Sequence, residues 1–528
     1  MKSSAFKTLA LLLIALAILP ILYFPISIDH AIYLRGGQTI LEGNKLFADY
    51  LDIKPPFVEY LFAFKILLSG SSEISLRIFD LIWQSVTIAF LMYTVFKRMG
   101  DPLAAWSCGF IYALLYSTLG FSQSMQCETL AASGFVLLLY LHSVEDTSRL
   151  SLILRGICIG WVMGFKYTFG IILPVIFFYD LLKGDSFKTL FKNYSIIIAS
   201  SFFMLALMLS PLFDAETRGG YAQILQYLSV YATFPPMDAN GIRYILKATS
   251  GFYSDRFSLF FIVLTIAGCA QIFKNGKEYQ STQKKSLLIL CCFMVMGLLF
   301  SAFVERKVNP YHFSRTYIPL SILAGVGAAG FLRATRYYYR EVFKRKYPGL
   351  LRYFIVIPAV IFILLFSPFP RWIKLLGLPV DYYTNTAAYD KNFDGTDNAV
   401  ARTQHKAVAA YILTYKQPLE RTFVMSVATS VIYYLMNERP ISKFVNPQFY
   451  FSYGCLEAWR MDARRELEKI TWLVVQSNDH QPFLNGHYRS SWESLQQDSL
   501  LYPYVRDSFK SVDTIGNFYI FKRTFLKP

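Results

Sequence analysis

Charge is scarce in this chain: only 16% of its 528 residues are Asp, Glu, Lys or Arg, against roughly 25% in an ordinary soluble domain. That scarcity excludes a disordered polypeptide. Cysteine offers no scaffold either. None of the seven falls in a CxxC pair or in a Cys/His cluster with zinc-ligand spacing. Cys108, Cys127, Cys158, Cys269, Cys291 and Cys292 lie in or beside apolar runs, where Cys behaves as a small hydrophobe. Cys455 stands alone in the polar tail, so no disulfide can close within that tail. The six histidines are scattered. Neither an internal repeat nor a low-complexity segment is visible, and a collagen-like reading falls away.

What the chain does have is apolar surface. Hydrophobic residues make up 54% and aromatics 17%, with a mean hydropathy of +0.37. A soluble protein of this length could not bury so much, so the composition predicts a polytopic membrane protein. The net charge is +17, from 52 Lys and Arg against 35 Asp and Glu. Only +4 of it lies beyond Pro370. The excess therefore belongs to the membrane part, where basic residues at span ends set topology, and nucleic acid is not implied.

A spanning helix needs about 20 mostly apolar residues. Runs of this kind occur at Leu9–Ile26, Ile74–Val95, Leu103–Leu119, Thr129–Leu141, Leu152–Gly164 and Phe169–Leu182. They continue at Ser195–Phe213, Phe257–Phe273, Leu287–Val304, Tyr317–Leu332 and Tyr353–Phe366. The expectation is thus about eleven spans over residues 1–369, with an α/β domain over 370–528. Lys97 and Arg98, Lys183, Lys188 and Lys192, and the cluster from Arg333 to Arg352 mark cytoplasmic loops. Asp29, Glu42, Asp49, Asp52, Asp214 and Glu216 mark outer ones. This predicts a multi-pass inner (plasma) membrane protein with a cytoplasmic N-terminus and an extracytoplasmic tail. Two outer segments, Phe57–Lys65 and Tyr221–Tyr231, are amphipathic enough to lie along the interface. The tail alternates: helices at His405–Lys416, Ser430–Asn437, Glu457–Lys469 and Ser491–Leu501, strands at Thr422–Val427, Ile441–Val445, Thr471–Gln476 and Asn517–Lys522.

The first outer loop carries the most specific pattern: Ser27-Ile-Asp-His-Ala-Ile-Tyr33 directly after the first span, then Ala48-Asp-Tyr-Leu-Asp-Ile-Lys-Pro-Pro56. Further on come a polar turn, Phe121-Ser-Gln-Ser-Met-Gln-Cys-Glu128, then Gly160-Trp-Val-Met-Gly-Phe-Lys166 and Asn309-Pro-Tyr-His-Phe-Ser-Arg315. In this order the features resemble the GT-C integral-membrane glycosyltransferases, in particular the protein mannosyltransferase and aminoarabinose transferase branch. The resemblance implies a polyprenyl-phosphate-linked sugar donor, a lipid, glycan or protein acceptor, and inverting transfer outside the cytoplasm. It implies that Asp29, after the first span, is the essential acid. The family often has two adjacent acids there, whereas this chain has Asp29-His30.

The residues fit that chemistry independently. Glycosyl transfer needs a carboxylate to deprotonate the acceptor and cations to meet the departing phosphate. Asp29 is the expected base, with His30 assisting proton transfer. Glu128 is a second acid at the start of an apolar run, serving either catalysis or the helix macrodipole. Asp49 and Asp52 are candidates for acceptor or metal. Lys54, Lys166, Arg306, Lys307 and Arg315 are candidates for the carrier phosphate, with His312 and Tyr311 beside them. For Arg306 and Lys307 the alternative is snorkelling at a helix end. A divalent cation between outer acids is possible chemistry, but the Lys54/Lys166 pattern favours a metal-independent site with no cofactor. Two rivals remain at this level. A transporter or lipid flippase is disfavoured by the absence of repeated halves, and an O-antigen ligase or polymerase shares the same donor chemistry.

Overall fold

The structure is a computed structural model describing residues 4–144, 146–233, 235–273, 282–338, 361, 365–397, 400–480 and 486–524. The chain divides into two compact units. Unit 1 comprises Met1–Phe24, Ile74–Leu209 and Ile242–Pro379, and unit 2 comprises Pro25–Glu73, Ser210–Gly241 and Val380–Pro528. The two long polar loops and the tail, which charge asymmetry assigned to one side, thus share unit 2.

Unit 1 is a helical assembly. Among the described residues, six helices are long and apolar enough to cross a membrane: Ala5–Tyr23, Glu73–Met99, Pro102–Leu119, Phe187–Met208, Lys284–Glu305 and Tyr317–Tyr337. A seventh span results if Ala239–Asp255 and Leu259–Phe273, bent by 90° at the break between them, are counted as one. The expected runs at Thr129–Leu141 and Phe169–Leu182 fall in shorter apolar helices, Cys127–Ser143 and Tyr167–Leu182. The run at Leu152–Gly164 forms a 17-residue helix, and that at Tyr353–Phe366 lies largely outside the described residues. Among the described residues, six or seven of the expected spans thus meet the length of a crossing helix, and the runs at Thr129–Leu141, Leu152–Gly164 and Phe169–Leu182 form shorter helices.

Local chemistry sets the helix ends that matter for the site. Helix α1 (Ser4–Ile18) passes through a 3-10 turn, Leu19–Tyr23, before unit 2 begins. Helix α2 (Ile28–Leu41) opens with a capping box: Ser27 Oγ accepts the His30 amide, and His30 Nδ1 accepts the Ser27 amide. Helix α3 (Phe57–Ser69) follows Pro55-Pro56. Helices α4 (Glu73–Met99) and α5 (Pro102–Leu119) are joined by Asp101, which caps α5 through the Leu103 and Ala104 amides. The next helices are α6 (Cys127–Leu130), α7 (Ala132–Ser143), α8 (Arg149–Phe165), α9 (Ile172–Leu182) and α10 (Phe187–Met208). Gly156 and Gly160 on α8 face α10 so closely that a Cβ would lie 2.4 Å from the Ile197 and Ser201 carbonyl oxygens. Small residues at this spacing let two backbones approach. Gly160 belongs to the Gly160-Trp-Val-Met-Gly segment quoted from the sequence, and Gly164 at its end likewise lies against Met208 of α10. Helices α11 (Ala215–Tyr231), α12 (Ala239–Phe252), α13 (Leu259–Ala270), α14 (Thr282–Glu305), α15 (Pro310–Ser314) and α16 (Tyr317–Tyr338) complete this part.

Unit 2 is α/β. Its four-stranded sheet contains β1 (Thr422–Met425), β2 (Trp472–Gln476), β3 (Phe509–Ile515) and β4 (Phe518–Arg523), in the order β1-β2-β4-β3. The pair β1–β2 is parallel and the other two pairs are antiparallel. Helices Arg402–Tyr415 and Thr429–Met436 cover it around Val408, Ile412, Val424, Ile432, Val474 and Ile520. Two expectations change. Ile441–Val445 is not a strand; Phe444 makes only an isolated bridge to Leu51, and Pro440 and Pro447 bound so short a stretch that no ladder extends. Strand β3 arises where no strand was expected, paired to β4 across the tight turn at Gly516 (φ 54°).

The two amphipathic segments are both helices of unit 2. Helix α3 buries Glu59 and Lys65 while Tyr60, Phe64, Leu67 and Leu68 face outward. Its polar residues are inside because it packs on Gly36 and Gly37 of α2, where a Cβ at Gly36 would lie 2.4 Å from Glu59 Cγ. Helix α11 buries Tyr221, Ile224 and Tyr227, and its Gln223 accepts from Trp459 Nε1 at 2.8 Å. It is an integral layer of the α/β unit.

Candidate active site

The expected site residues fall into two groups, one in each unit. In unit 1, Glu128 enters from α6, Lys166 from the end of α8, and His312 and Arg315 from α15 and its C-terminal edge. They converge on a residue that was not singled out, Glu305, at the end of α14. Lys166 Nζ lies 2.6 Å from Glu128 Oε1 and 2.6 Å from Glu305 Oε2. Arg315 grips Glu305 with both ends of its fork, at 2.8 and 2.9 Å, and reaches Glu128 Oε1 at 3.0 Å. Its Nη1 also donates to Ser301 Oγ at 2.6 Å, and its guanidinium lies over the Phe169 ring. Thr168 Oγ1 donates to Glu305 as well.

This is a charge-balanced network of two carboxylates and two cations, almost closed to solvent. Side-chain exposures are 1% for Glu128, 8% for Glu305, 0% for Arg315 and 18% for Lys166. Burial alone would neutralise such groups; mutual pairing holds them charged. Glu128, in the first turn of α6, is thus paired with two cations, and Lys166 and Arg315 are each held by two carboxylates. The His312 imidazole is buried, and its Nδ1 lies 2.5 Å from the Lys307 carbonyl, so Nδ1 carries the proton. Burial, with Lys166 adding to it, pushes its pKa down to about 3, so it is a neutral imidazole at any working pH. Arg306 ends α14 in a left-handed conformation (φ 57°) and is half-buried. Lys307 is buried, which brings its pKa down to about 7, with Arg306 adding to the effect.

Glu128, Glu305 and His312 also offer one ligand atom each within 4.8 Å of one another. As a metal-binding set they fit poorly. Lys166 and Arg315 already take three of the four carboxylate oxygens, and a divalent cation would stand among two fixed positive charges.

In unit 2, Asp29 lies in the first turn of α2, half-exposed and positioned by the capping box. His30, expected to assist proton transfer, is fully buried, and its Nδ1 is spent on the Ser27 amide. Asp49 is exposed and accepts the Lys45 amide at 2.8 Å, closing its own turn. Lys54 is half-buried ahead of the two prolines. Asp52, 4% exposed, belongs with a second residue that was not singled out, Glu59. Both oxygens of Glu59 and Oδ2 of Asp52 are buried with no hydrogen-bond donor. Burial raises the Glu59 pKa well above 4.5, and the neighbouring Asp52 raises it further. Burial and the adjacent Asp52 thus favour the protonated form of Glu59, which suits oxygens that no donor reaches. Tyr50, also buried, donates to the Ile32 carbonyl at 2.5 Å and feels Asp52, Glu59 and Asp29. A cavity of about 190 Å³ opens along α2, lined by Arg35, Gln38, Glu42, Tyr434, Asn437 and Arg439 among others.

Comparison with known proteins agrees with this architecture. A family profile described as dolichyl-phosphate-mannose-protein mannosyltransferase matches residues 53–212. The fold matches the crystal structure of ArnT from Cupriavidus metallidurans in the apo state, with a TM-score of 0.60 and 13% identity over 98% of both chains. The same protein bound to undecaprenyl phosphate matches with a TM-score of 0.51 and 12% identity, again over 98% of both chains. No curated protein sequence matches. The chain has the GT-C membrane fold with a C-terminal α/β portion, and the resemblance read from its motifs is borne out.

Proposed function

We propose that this chain is a multi-pass inner-membrane glycosyltransferase that moves a sugar from a polyprenyl-phosphate carrier to a lipid, glycan or protein acceptor, with inversion, outside the cytoplasm. One observation carries the proposal: the GT-C fold extends over 98% of the chain, shared with a protein crystallised with undecaprenyl phosphate.

In this scheme Asp29 takes the acceptor proton as the acceptor oxygen or nitrogen attacks the anomeric carbon. The bond from that carbon to the phosphate oxygen breaks, and polyprenyl phosphate leaves with the electron pair. A carboxylate in the first turn of a helix, half-exposed and fixed by a capping box, suits that task better than the buried His30. Lys54 is assigned to the carrier phosphate, with Pro55 and Pro56 limiting where its ammonium can point. Glu128, Lys166, Glu305 and Arg315 are assigned to holding α6, α8, α14 and α15 in register. Lys166 is the most exposed of the four. No metal is assigned, because Lys166 and Arg315 take three of the four carboxylate oxygens and place two positive charges beside the set. The cavity along α2, with its amide, phenol and guanidinium donors, suits a hydroxylated acceptor.

The test compares lipid-linked oligosaccharides and envelope glycolipids, by mass spectrometry, in strains with and without the gene. A missing glycoform, restored by the wild-type chain and not by Asp29→Asn, is the expected result. Unchanged glycolipids together with lost solute uptake would overturn the proposal in favour of a transporter.

A further inference from the structure

At the other end of the helices that carry Lys166 and Glu128, a second polar cluster surrounds a cavity of about 180 Å³. Arg155 on α8 lies eleven residues before Lys166, about 16 Å along the helix axis. In the topology that charge asymmetry predicts, this is the cytoplasmic side. The reaction described above uses none of these residues.

The cluster is a chain of hydrogen bonds that ends on one guanidinium. Tyr194 OH donates to Asp180 Oδ2 at 2.8 Å, and His142 Nε2 lies 2.9 Å from Asp180 Oδ1. Arg155 Nη1 lies 3.3 Å from His142 Nδ1. Because the guanidinium can only donate, Nδ1 accepts and Nε2 carries the proton, so the imidazole is neutral. Arg155 Nη2 donates to the Asp146 carbonyl at 2.6 Å. Its Nε–H has no partner although Arg155 is only 4% exposed. No carboxylate among the described residues lies within 4.0 Å of this guanidinium. A buried cation without a paired anion is costly, and this one borders an opening.

The rest of the lining adds both signs of charge. Lys183 and Arg155 are set against Asp180 and Asp185, with Asn193 supplying a neutral amide. Asp180 is committed to His142 and Tyr194; Asp185 is exposed and forms no ion pair among the described residues. Leu182, Phe187 and Phe191, on the flanking turns, present exposed apolar side chains. An anion alone would meet two carboxylates here, whereas a group carrying both signs would satisfy Arg155 and Asp185 at once. We infer that this cavity binds the phosphoethanolamine headgroup of a zwitterionic phospholipid, its phosphodiester on Arg155 and its ammonium toward Asp185, with the acyl chains along the apolar flank.

The test uses full-length protein, purified and delipidated in mild detergent, then exposed to phosphatidylethanolamine or phosphatidylglycerol with identical acyl chains. Native mass spectrometry counts the retained lipid. Wild type should retain phosphatidylethanolamine in preference. Arg155→Gln should weaken that retention by about tenfold or more, as loss of a charge-assisted hydrogen bond predicts. Asp185→Asn, a surface change that leaves the buried relay intact, should shift the preference toward phosphatidylglycerol. Equal retention of the two lipids by wild type, or full phosphatidylethanolamine retention by Arg155→Gln, would overturn the inference. If Arg155→Gln fails to insert, Asp185→Asn decides: an unchanged ratio of the two lipids overturns it.

Discussion

Arg315→Met tests whether the ion network in unit 1 is one coupled device. The guanidinium is fully buried and makes four polar contacts between 2.6 and 3.0 Å, two to Glu305, one to Glu128 and one to Ser301. Its removal leaves two buried carboxylates facing Lys166 alone, a net charge of one inside a low-dielectric site. Breaking a buried pair in this way costs about 3–5 kcal/mol. Adding Glu305→Gln restores balance, because Glu128 and Lys166 remain paired at 2.6 Å. The double variant should therefore be more stable than the sum of the single changes predicts, by about 1–3 kcal/mol. Unfolding in mixed detergent and SDS micelles, followed by tryptophan fluorescence, measures all four members of the cycle. Additivity within about 0.5 kcal/mol would refute the coupling and reduce the cluster to neighbouring, independent pairs.

Asp29→Asn keeps the shape of the proposed base but cannot take a proton, so transfer should slow by about a hundredfold or more with donor binding retained; near-normal turnover would remove Asp29 from the chemistry. Glu59 keeps a proton in the folded state that the unfolded chain releases above about 4.5, so wild-type stability should fall as pH rises through that value toward the raised folded pKa. Glu59→Gln, neutral throughout, should unfold later than wild type at pH 7.5 and alike at pH 4; equal curves at both would show Glu59 ionised. Lys307 is charged below its lowered pKa of about 7 and neutral above it. If it helps hold the carrier phosphate, kcat/KM for the donor falls as pH rises through that value, and Lys307→Arg extends the active range upward. Overlapping pH profiles would exclude Lys307 from donor binding.

Much of the fold was legible because a run of some 20 apolar residues needs no partner to be recognised. Six such runs are helices of spanning length. The remaining spans were harder to count, since a polar turn shortens a helix without erasing its apolar run. In the tail, hydrophobic alternation located β1, β2 and β4 but missed the mostly exposed β3, whose sequence, Phe509–Ile515, has little apolar content to announce it.

The site was legible by residue type and not by partnership. Asp29, Glu128, Lys166, His312 and Arg315 stood out as polar groups beside apolar runs. Glu305 did not, because it stands next to Arg306 and Lys307 and reads as part of a basic helix end. Glu59 did not, because an acid on an amphipathic helix ordinarily faces water. The sequence by itself determined that this is a membrane protein and that acids and bases gather at the ends of its apolar runs, since transfer free energy is a property of each segment alone. Only the tertiary structure decided that Glu305 closes the cluster 177 residues from Glu128, that α3 buries its acid against Gly36, and that Arg155 is left with an unanswered donor. A charge's worth inside a protein depends on what stands within a few ångströms of it, and that is set by which helix ends meet.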